Sequence, residues 1–462
     1  MNVTIVGTGP GSLSAADLIR THSPGTALTV VEKGRPPRAR HCPVDAGKRC
    51  RGCSGICNVI SGFGGAMHYG DSIKLSKFPA GRRLRHHLGN DCYDSFEREA
   101  LKFFRLSDSR FTPSTEIQVG AFNIRGYPVA EIGEKALNTF LDYQFAALEH
   151  DCRLLMATRL VGLNRASDHP FIVEATHEKE QLSWYSDIVI LGMGRSGIGD
   201  ISKLLKTFDV STTSPDFSIG VRIEMPAEYL DCLYGMHPDF KFSRHYGDVK
   251  IKSFCFSSSG YRGGRIKYCH YQDQLSSPVI FLDGHTHVDH APQLEHGEGP
   301  SGNLALLVQQ RVEDPGHWVN HDLVPRYMAL FGGRPAYQGL SAFMGTPEEH
   351  RVTPSVRDIQ LGRIEELFSV EAMRGLRAAA SDLLDVISHI SGVNRSTLIA
   401  ESTVMAPELE FFWPQVHVSP AFETEVPGLY VIGDAAGIAQ GNLQAAITGI
   451  AAAQHILEKI DA

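Results

Sequence analysis

The sequence lacks an apolar run of the roughly 18 or more residues that a membrane-spanning helix needs. The first predicted strand begins at Val3, so there is also no room before it for the charged, apolar and cleavage regions of a signal peptide. We therefore expect no membrane insertion and a cytoplasmic location. In that compartment, cysteines are mostly reduced or metal-bound rather than paired in disulfides.

Long runs of like charge are missing as well. The 44 Lys and Arg residues and 52 Asp and Glu residues are interspersed along 462 positions and give a formal net charge of −8. No basic surface for nucleic acid or anionic lipid is indicated. Because 42% of the residues are apolar, the chain can bury a large core in more than one domain. We expect a small-molecule substrate and no nucleic-acid partner.

The first segment alternates strand-like and helical patterns. Val3–Val6, Leu13–Thr21 and Ala27–Glu32 form a β-α-β pattern, which is typical of a doubly wound parallel sheet. Helical spacing also covers Ser95–Leu106 and Glu131–Leu148. The other predicted strands are Arg153–Leu163, Phe171–Ala175, Ile188–Leu191 and Leu429–Ile432.

A change of composition from about Phe217 to Phe412 separates a second unit, which is rich in strands and in Gly- and Ser-containing loops. We predict an α/β fold in which a Rossmann-like nucleotide-binding domain carries an inserted α+β substrate domain. The predicted boundaries are 1–90, 150–210 and 413–462 for the discontinuous nucleotide-binding domain, 91–149 for a helical segment, and 211–412 for the substrate domain.

The turn after the first strand has the pattern of a dinucleotide site. Gly7 and Gly9 permit a tight turn whose backbone approaches a pyrophosphate at a helix N-terminus. The third position of the fingerprint is Ser12, a small residue that departs from the usual Gly. Glu32 ends the second strand, where a carboxylate accepts hydrogen bonds from ribose hydroxyls. The predicted cofactor-binding residues of this segment are Gly7, Gly9, Gly11, Ser12, Glu32 and Lys33.

The segment 428–437, Gly-Leu-Tyr-Val-Ile-Gly-Asp-Ala-Ala-Gly, resembles a segment of the glutathione-reductase-like flavoproteins. In those proteins the Asp of a strand-Gly-Asp turn hydrogen-bonds the ribityl chain of FAD. The resemblance implies that Gly433 and Asp434 contact FAD here. Asn442 and Leu443 open the final predicted helix, whose N-terminus would face the flavin and stabilise negative charge on the reduced ring.

A second glycine motif, Gly192 to Gly197, follows the strand Asp187–Leu191 and fits G-x-G-x-x-G. One interpretation is an NAD(P)H site. However, the following helix, Ile198–Phe208, leads into a loop rather than into a strand that ends in an acid or an Arg. We therefore favour the second glycine motif of an FAD domain, with Gly192 and Gly194 at the cofactor. The electron donor would then be a transiently bound nicotinamide or another protein.

Several further blocks resemble a group of FAD-dependent dehydrogenases among the glutathione-reductase-like, two-dinucleotide-binding-domain flavoproteins. The loop Gly62–Ala66 with Asp71 and Lys74-Leu75 is one such block, and it implies that Gly64 and Gly65 lie at the cofactor. Substrates of that group are largely unassigned. The group commonly has a second Cys and a Pro-Gly-Gly after Phe-Cys, whereas Ser257–Ser259 follow in this chain, so chemistry on that thiol does not carry over.

Polar residues near the flavin are the candidates for acid–base chemistry. His68, Tyr69 and Asp71 follow the Gly62–Ala66 loop, and each is a candidate proton donor or acceptor, the alternative being an ordinary hydrogen-bonded loop residue. A second group of histidines is interpreted as part of a polar loop rather than a metal site. These are His285, His287, His290 and His296.

Four cysteines, Cys42, Cys50, Cys53 and Cys57, fall within 16 residues as C-x7-C-x2-C-x3-C. Four thiolates at such spacing can surround one Zn²⁺ or one [4Fe–4S] cluster, although only one C-x2-C pair is present and neither template fits fully. A metal-free loop is the third alternative.

The sequence therefore predicts an FAD-dependent oxidoreductase, a dehydrogenase or reductase of a small or amphipathic metabolite. The alternatives are a flavin-dependent monooxygenase and a non-catalytic flavin redox sensor.

Overall fold

The structure is a computed structural model that describes residues 1–165, 170–214, 217–258, 263–286, 295–296, 299–346, 352–410 and 414–461. His287, His290 and Ser259, which the sequence analysis names, lie outside these ranges. Within them, no helix combines the length and the apolar character needed to cross a membrane.

Strands and α-helices are interspersed along the whole of the described chain. The strands are β1 (Asn2–Val6), β2 (Ala27–Val31), β3 (Ile73–Ser76), β4 (Ile117–Val119), β5 (Phe122–Ile124), β6 (Val129–Ile132), β7 (Arg153–Leu155), β8 (Thr158–Asn164), β9 (Phe171–His177), β10 (Glu180–Ser186), β11 (Ile188–Leu191), β12 (Thr212–Thr213), β13 (Phe217–Pro226), β14 (Ser243–Tyr246), β15 (Val249–Ser257), β16 (Gly264–Tyr271), β17 (Val279–Thr286), β18 (Glu295–His296), β19 (Gly299–Gln310), β20 (Ala336–Gly339), β21 (Gln360–Leu361), β22 (Thr403–Glu410), β23 (Gln415–Val416) and β24 (Leu429–Val431). The α-helices are α1 (Pro10–His22), α2 (Arg82–Leu88), α3 (Asn90–Phe103), α4 (Glu134–Asp151), α5 (Ile198–Thr207), α6 (Ala227–Met236), α7 (Pro315–Trp318), α8 (Val324–Phe331), α9 (Leu340–Phe343), α10 (Val370–Ser391), α11 (Arg395–Ala400) and α12 (Asn442–Asp461).

A five-stranded parallel sheet forms the nucleotide-binding half, in the order β24-β11-β1-β2-β7. The central strands are buried because helix α1 packs against β1 and β2, and strands β10 and β8 contact them as well. Helices α1 and α12 pack closely together, and the Ser14 hydroxyl of α1 donates a 2.9 Å hydrogen bond to the Ala446 carbonyl of α12. The strands of this sheet come from the three chain segments that the sequence predicts. The predicted α/β, Rossmann-like fold class is confirmed.

The second half is built on a ten-stranded sheet that follows the path β14-β15-β19-β13-β22-β17-β16, with β18, β20 and β21 at its sides. Strand β13 lies inside this sheet between β19 and β22, so all its residues up to Met225 are buried. Helices α6 and α10 pack on this ten-stranded sheet. Strand β17 pairs with β16 and touches β22. The sheet therefore brings strands from 217 to 410 together in one layer.

The segment 91–149 differs from its prediction. Helices α3 and α4 lie there, but strands β4, β5 and β6 lie between them. Strand β6 pairs with β3, so this segment is anchored to the chain next to the Gly62–Ala66 loop rather than forming a helical unit alone. The predicted strand Arg153–Leu163 is divided into β7 of the parallel sheet and β8 of an antiparallel sheet with β9 and β10.

A buried ion pair crosses the ten-stranded sheet. Arg222 of β13 is 0% exposed and binds both carboxylate oxygens of Glu408 on β22, with Nε 2.5 Å from Oε2. Its Nη1 donates to Asn303 Oδ1 at 2.6 Å and to the Cys255 carbonyl at 3.1 Å. Because Arg222 and Glu408 are both buried away from water, removing either one would leave the other charge without a counterion.

We expect Glu408→Leu to lower the free energy of unfolding by about 3–5 kcal/mol, because it leaves the Arg222 charge buried without a counterion. The double variant Arg222→Met with Glu408→Leu should be less destabilised than the single variant. Chemical denaturation measures both, and the exposed pair Arg395 and Asp385 serves as control, since Arg395→Met should change stability by about 1 kcal/mol or less. A double variant less stable than Glu408→Leu would contradict this interpretation of the pair.

Candidate functional site

The turn between β1 and α1 has the geometry of a ligand cradle. Gly7 has a φ of 98°, and a Cβ there would come within 2.6 Å of the Gly192 carbonyl oxygen, so a side chain cannot be accommodated. At Gly9 a Cβ would meet no atom within 4 Å, so this part of the backbone borders open space. Helix α1 starts directly after it, and its free N–H groups point at that space.

Glu32 holds this turn together. One carboxylate oxygen accepts hydrogen bonds from the Thr8 N–H at 3.1 Å and the Thr8 hydroxyl at 2.7 Å. The other accepts from the N–H groups of Gly34 at 2.7 Å and Gly62 at 3.1 Å. Glu32, whose carboxylate is predicted to bind ribose, thus also connects three chain segments by hydrogen bonds. Its contact with ribose stays a prediction.

Arg40 organises the neighbouring loop, although nothing in the sequence analysis singles it out. Its buried guanidinium donates to carbonyl oxygens of Asn58 at 3.2 Å, Phe63 at 2.8 Å and Gly65 at 2.9 Å. Nη2 also lies 3.2 Å from His68 Nδ1. Burial lowers the pKa of Arg40 to about 10. One cation therefore fixes the loop that ends at His68, and no local sequence signal distinguishes it from the other arginines nearby.

The same loop lies against the dinucleotide turn. A Cβ on Gly65, whose φ is 58°, would come within 2.8 Å of the Gly9 Cα atom. The Gly64 N–H donates to the Thr8 carbonyl at 3.0 Å. Gly64 and Gly65, which the resemblance places at the cofactor, are therefore brought next to Gly9.

Asp434 lies beyond the end of β24, in the turn before α12. The preceding Gly433 N–H donates to the Thr448 hydroxyl of α12 at 2.7 Å, which fixes the turn on that helix. Among the described residues, the Asp434 carboxylate has no hydrogen-bond partner. Burial raises its pKa to about 6, although the charge of Arg195 acts in the opposite direction. The Asp434 carboxylate is therefore a hydrogen-bond acceptor that lacks a donor at this edge of the sheet.

The second glycine turn lies beside the first because β11 neighbours β1. The Lys33 ammonium, just after β2, donates to the Ser196 carbonyl and lies 3.9 Å from Asp200, so it connects the end of β2 to the second glycine turn. In the described chain, α5 leads to β12, which pairs with β23 outside the parallel sheet. The Gly192 and Gly194 turn thus opens no second nucleotide-binding unit there, as the FAD-domain interpretation expects.

A buried cluster of titratable side chains faces this edge from the ten-stranded sheet. Asp71 accepts from Lys267 Nζ at 2.8 Å and lies 2.9 Å from His285 Nδ1. Asp283 accepts from Arg195 of the second glycine turn. Burial opposes ionisation of Asp71, but the charges of Lys267 and His285 outweigh it and lower the Asp71 pKa. The ion pairs of this cluster therefore connect the two halves of the molecule.

Of the three predicted acid–base residues, the structure brings two to this cluster. His68 is buried, and its ring meets the His285 ring edge to face with centroids 4.8 Å apart. Burial, followed by the Arg40 charge, keeps the His68 pKa well below its usual value. Tyr69 lies elsewhere, since its hydroxyl points at Asp142 on α4 at 3.4 Å. The catalytic roles themselves stay predictions.

His285 is the residue of the cluster for which the sequence interpretation was wrong. The prediction placed it in a polar loop, whereas it lies on β17 with its side chain about nine-tenths buried. The alternation Phe281, Asp283, His285 could have indicated one face of a strand. The partner on that face, Asp71, is 214 positions away in sequence, so no local pattern reveals the pair.

The four clustered cysteines do not converge. In the ranges the structure describes, no three His, Cys, Asp or Glu side chains are arranged to hold a metal ion. The Cys57 thiol lies 3.8 Å from the Tyr268 carbonyl, and Cys50 Sγ lies 3.7 Å from His270 Nδ1. Burial raises the pKa of Cys42 to about 12, which disfavours the thiolate that metals require. The predicted zinc or iron–sulfur site is not supported.

The residues present fit FAD. Two observations test the fit: the open backbone at Gly9 in front of the α1 N-terminus, and the unpartnered Asp434 carboxylate across the same edge. A pyrophosphate needs N–H donors and a hydroxyl chain needs an acceptor, and both are available at this edge. Asn442 and Leu443 begin α12 next to Asp434, as predicted.

No protein-family model matches the chain, and no curated protein matches it. Several solved structures do match. CtdE in complex with FAD and substrate 4 is 12% identical, with 97% of this chain and 78% of that chain covered and a TM-score of 0.37. 2,6-Dihydroxypyridine-3-hydroxylase from Arthrobacter nicotinovorans is 14% identical (99% and 83% covered, TM-score 0.43). CabE, an aromatic hydroxylase from angucycline biosynthesis, is 13% identical (100% and 62% covered, TM-score 0.37).

TM-scores below 0.5 carry no argument about activity, and the functional conclusion is drawn from the site itself.

We expect Asp434→Asn to stabilise the flavin-free protein near neutral pH and to weaken its binding of FAD. Because burial raises the Asp434 pKa from 3.8 to about 6, this group's stabilising contribution to the flavin-free protein is present below pH 4 and is lost as the pH rises through about 6. The Asn variant should therefore be the more stable at pH 7.5, with a difference that shrinks at pH 4.5. Its affinity for FAD should fall about tenfold or more, since a charged acceptor contributes about 1.5–3 kcal/mol.

Denaturation at the two pH values and flavin fluorescence titration measure these effects. The exposed Glu458 of α12 offers a matched control, because Glu458→Gln should alter neither quantity. Unchanged FAD affinity in Asp434→Asn would count against the site.

Arg40→Lys should lower the free energy of unfolding by about 2–4 kcal/mol, because one ammonium cannot reach the several carbonyl oxygens that the guanidinium fork holds. The variant Arg38→Lys, two residues away at an exposed ion pair with Asp142, should change it by about 0.5 kcal/mol or less. Urea denaturation compares the two variants. Equal effects would show that Arg40 does not organise the loop.

Proposed function

We propose that this chain is an FAD-dependent oxidoreductase that acts on a small-molecule substrate. The observation that carries the proposal is a meeting of three features at one sheet edge: the open Gly9 turn, the unpartnered Asp434 carboxylate and the buried cluster around Asp71 and His285. When bound, FAD supplies hydride or electron transfer. The chain supplies the binding groups and the proton-carrying side chains beside them.

The binding groups are assigned as follows. Gly7 and Gly9 shape the turn in which the α1 N-terminus binds the pyrophosphate. Asp434 accepts a hydrogen bond from a ribityl hydroxyl, for which its ionised form is suited near pH 7. The N-terminus of α12, at Asn442 and Leu443, stabilises negative charge at the flavin edge.

Two reaction classes fit this site. A dehydrogenase or reductase uses the cluster for proton transfer alone. A monooxygenase needs in addition a site from which water is excluded, so that reduced flavin and O₂ react with the substrate. The side chains of Asp71, Lys267, Asp283 and His285 are 3, 6, 9 and 11% exposed. Because these side chains are shielded from water, a monooxygenase is the second candidate function, after the dehydrogenase or reductase.

The source of electrons follows from the sheet arrangement. The described part of the chain contains a single parallel sheet of the nucleotide-binding kind. A nicotinamide donor would therefore bind transiently, or another protein would deliver the electrons. A non-catalytic redox sensor is the weaker alternative, because burial raises the pKa of Cys42, Cys50 and Cys57 and so disfavours the thiolates that react with oxidants.

Reconstitution and photoreduction test the proposal. The protein should bind about one FAD per chain, and the photoreduced flavin should be reoxidised rapidly by one class of acceptor. Rapid reaction with O₂ and hydroxylation of an added phenol indicates a monooxygenase, and slow reaction with O₂ but rapid reaction with a quinone indicates a reductase. Protein that takes up no FAD during refolding with excess cofactor would refute the proposal.

A further inference from the structure

Among the described residues, His285 is hydrogen-bonded through one ring nitrogen only. Its Nδ1 lies 2.9 Å from the Asp71 carboxylate, and the Lys267 ammonium donates to that same carboxylate oxygen at 2.8 Å. Lys267 keeps Asp71 ionised, so Asp71 can accept a hydrogen bond from a protonated Nδ1 of the ring. A carboxylate at one nitrogen fixes the orientation of an imidazole and leaves the other nitrogen for a ligand.

The other nitrogen of the ring, Nε2, is within ion-pair distance of Asp283 but makes no hydrogen bond in the described chain. Nε2 of His285 is inaccessible to solvent and has no hydrogen-bond partner among the residues that the structure describes. The nearest acceptor, Asp283 Oδ2, is 3.6 Å away, beyond hydrogen-bond distance, and already accepts from Arg195. A buried donor without a partner costs stability, so its retention calls for a use.

The groups that face the ring favour its charged form. Burial lowers the pKa of His285, but Asp283 and Asp71 raise it by more, and Lys267 acts against them. Further charged side chains border the cluster: Arg195 is paired with Asp283, and Asp45 lies 3.5 Å from Lys267 Nζ and 3.4 Å from Arg265.

His285 also lies near the cofactor cradle. Its ring touches His68, which follows the Gly62–Ala66 loop that packs on Gly9. On its other side, Asp283 is bound to Arg195 of the second glycine turn. Both routes lead within two or three contacts to the edge where we place FAD.

We propose that His285 is a catalytic residue whose Nε2–H hydrogen-bonds an oxygen atom of the substrate, and that this substrate is a phenol or a conjugated carbonyl compound. The proposal rests on the proposed function. An oxygen conjugated to a π system can carry the negative charge that an imidazolium stabilises. FAD, when bound, would supply the hydride for such a carbonyl compound; the Nε2–H of His285 would supply the proton to its oxygen, and water would return a proton to the ring.

The test uses the FAD-loaded protein and 4-nitrophenol, whose absorption distinguishes the phenol from the phenolate. Bound to wild type, its apparent pKa should fall by about one unit or more, a tenfold change in the ionisation constant. His285→Gln should abolish this shift. His22→Gln on the exposed end of α1 should keep it.

A structural role for His285 would not move the pKa of a bound ligand, so equal shifts in wild type and His285→Gln would overturn the inference. So would the absence of 4-nitrophenol binding to the FAD-loaded wild type. If His285→Gln does not fold, Asp71→Asn replaces it, and the expected result is a reduced shift; an undiminished shift overturns the inference. FAD content is measured first, because protein that binds no FAD refutes the proposed function as well.

Discussion

The arrangement of the site depends on a buried cation that has carbonyl oxygens rather than a carboxylate for partners. Arg40 holds the backbone from Asn58 to Gly65 from inside the loop, and a guanidinium is the one side chain whose fork can reach that many acceptors. Glu32 fixes the same loop from the other side through the Gly62 N–H. Between them, the loop is pressed against the dinucleotide turn and His68 is directed at the second sheet.

The remaining charges of the site are assembled on that basis. Once the loop is fixed, Asp71 follows it into the interior, where it must meet cations, and Lys267 and His285 of the ten-stranded sheet provide them. Asp283 is matched in the same way by Arg195. Burial makes each of these pairs obligatory, because an unpaired charge costs several kcal/mol in the interior. These ion pairs therefore fix the position of the two halves of the molecule relative to each other.

This locking places proton-carrying groups beside a cofactor cradle without exposing them to water. A flavin performs the electron transfer itself, so the protein has to supply position, charge and protons. In the proposed function, Asp434 and the two glycine turns would serve the first need, and the cluster around His285 would serve the others. The cysteines form no metal site in the described chain, where the thiols of Cys50 and Cys57 both lie against His270.

The sequence by itself determined the parallel sheet and the turns at Gly7 and Gly192, because each depends on local periodicity and on glycines at fixed spacing, and a resemblance to known flavoproteins indicated the Asp434 turn. It also named Asp71 and His68 through their position after the Gly62–Ala66 loop. It could not identify Arg40 or His285, and it suggested a metal site that the thiols do not form. Those outcomes rest on contacts between residues as much as 214 positions apart, and only tertiary packing decides which buried charges meet.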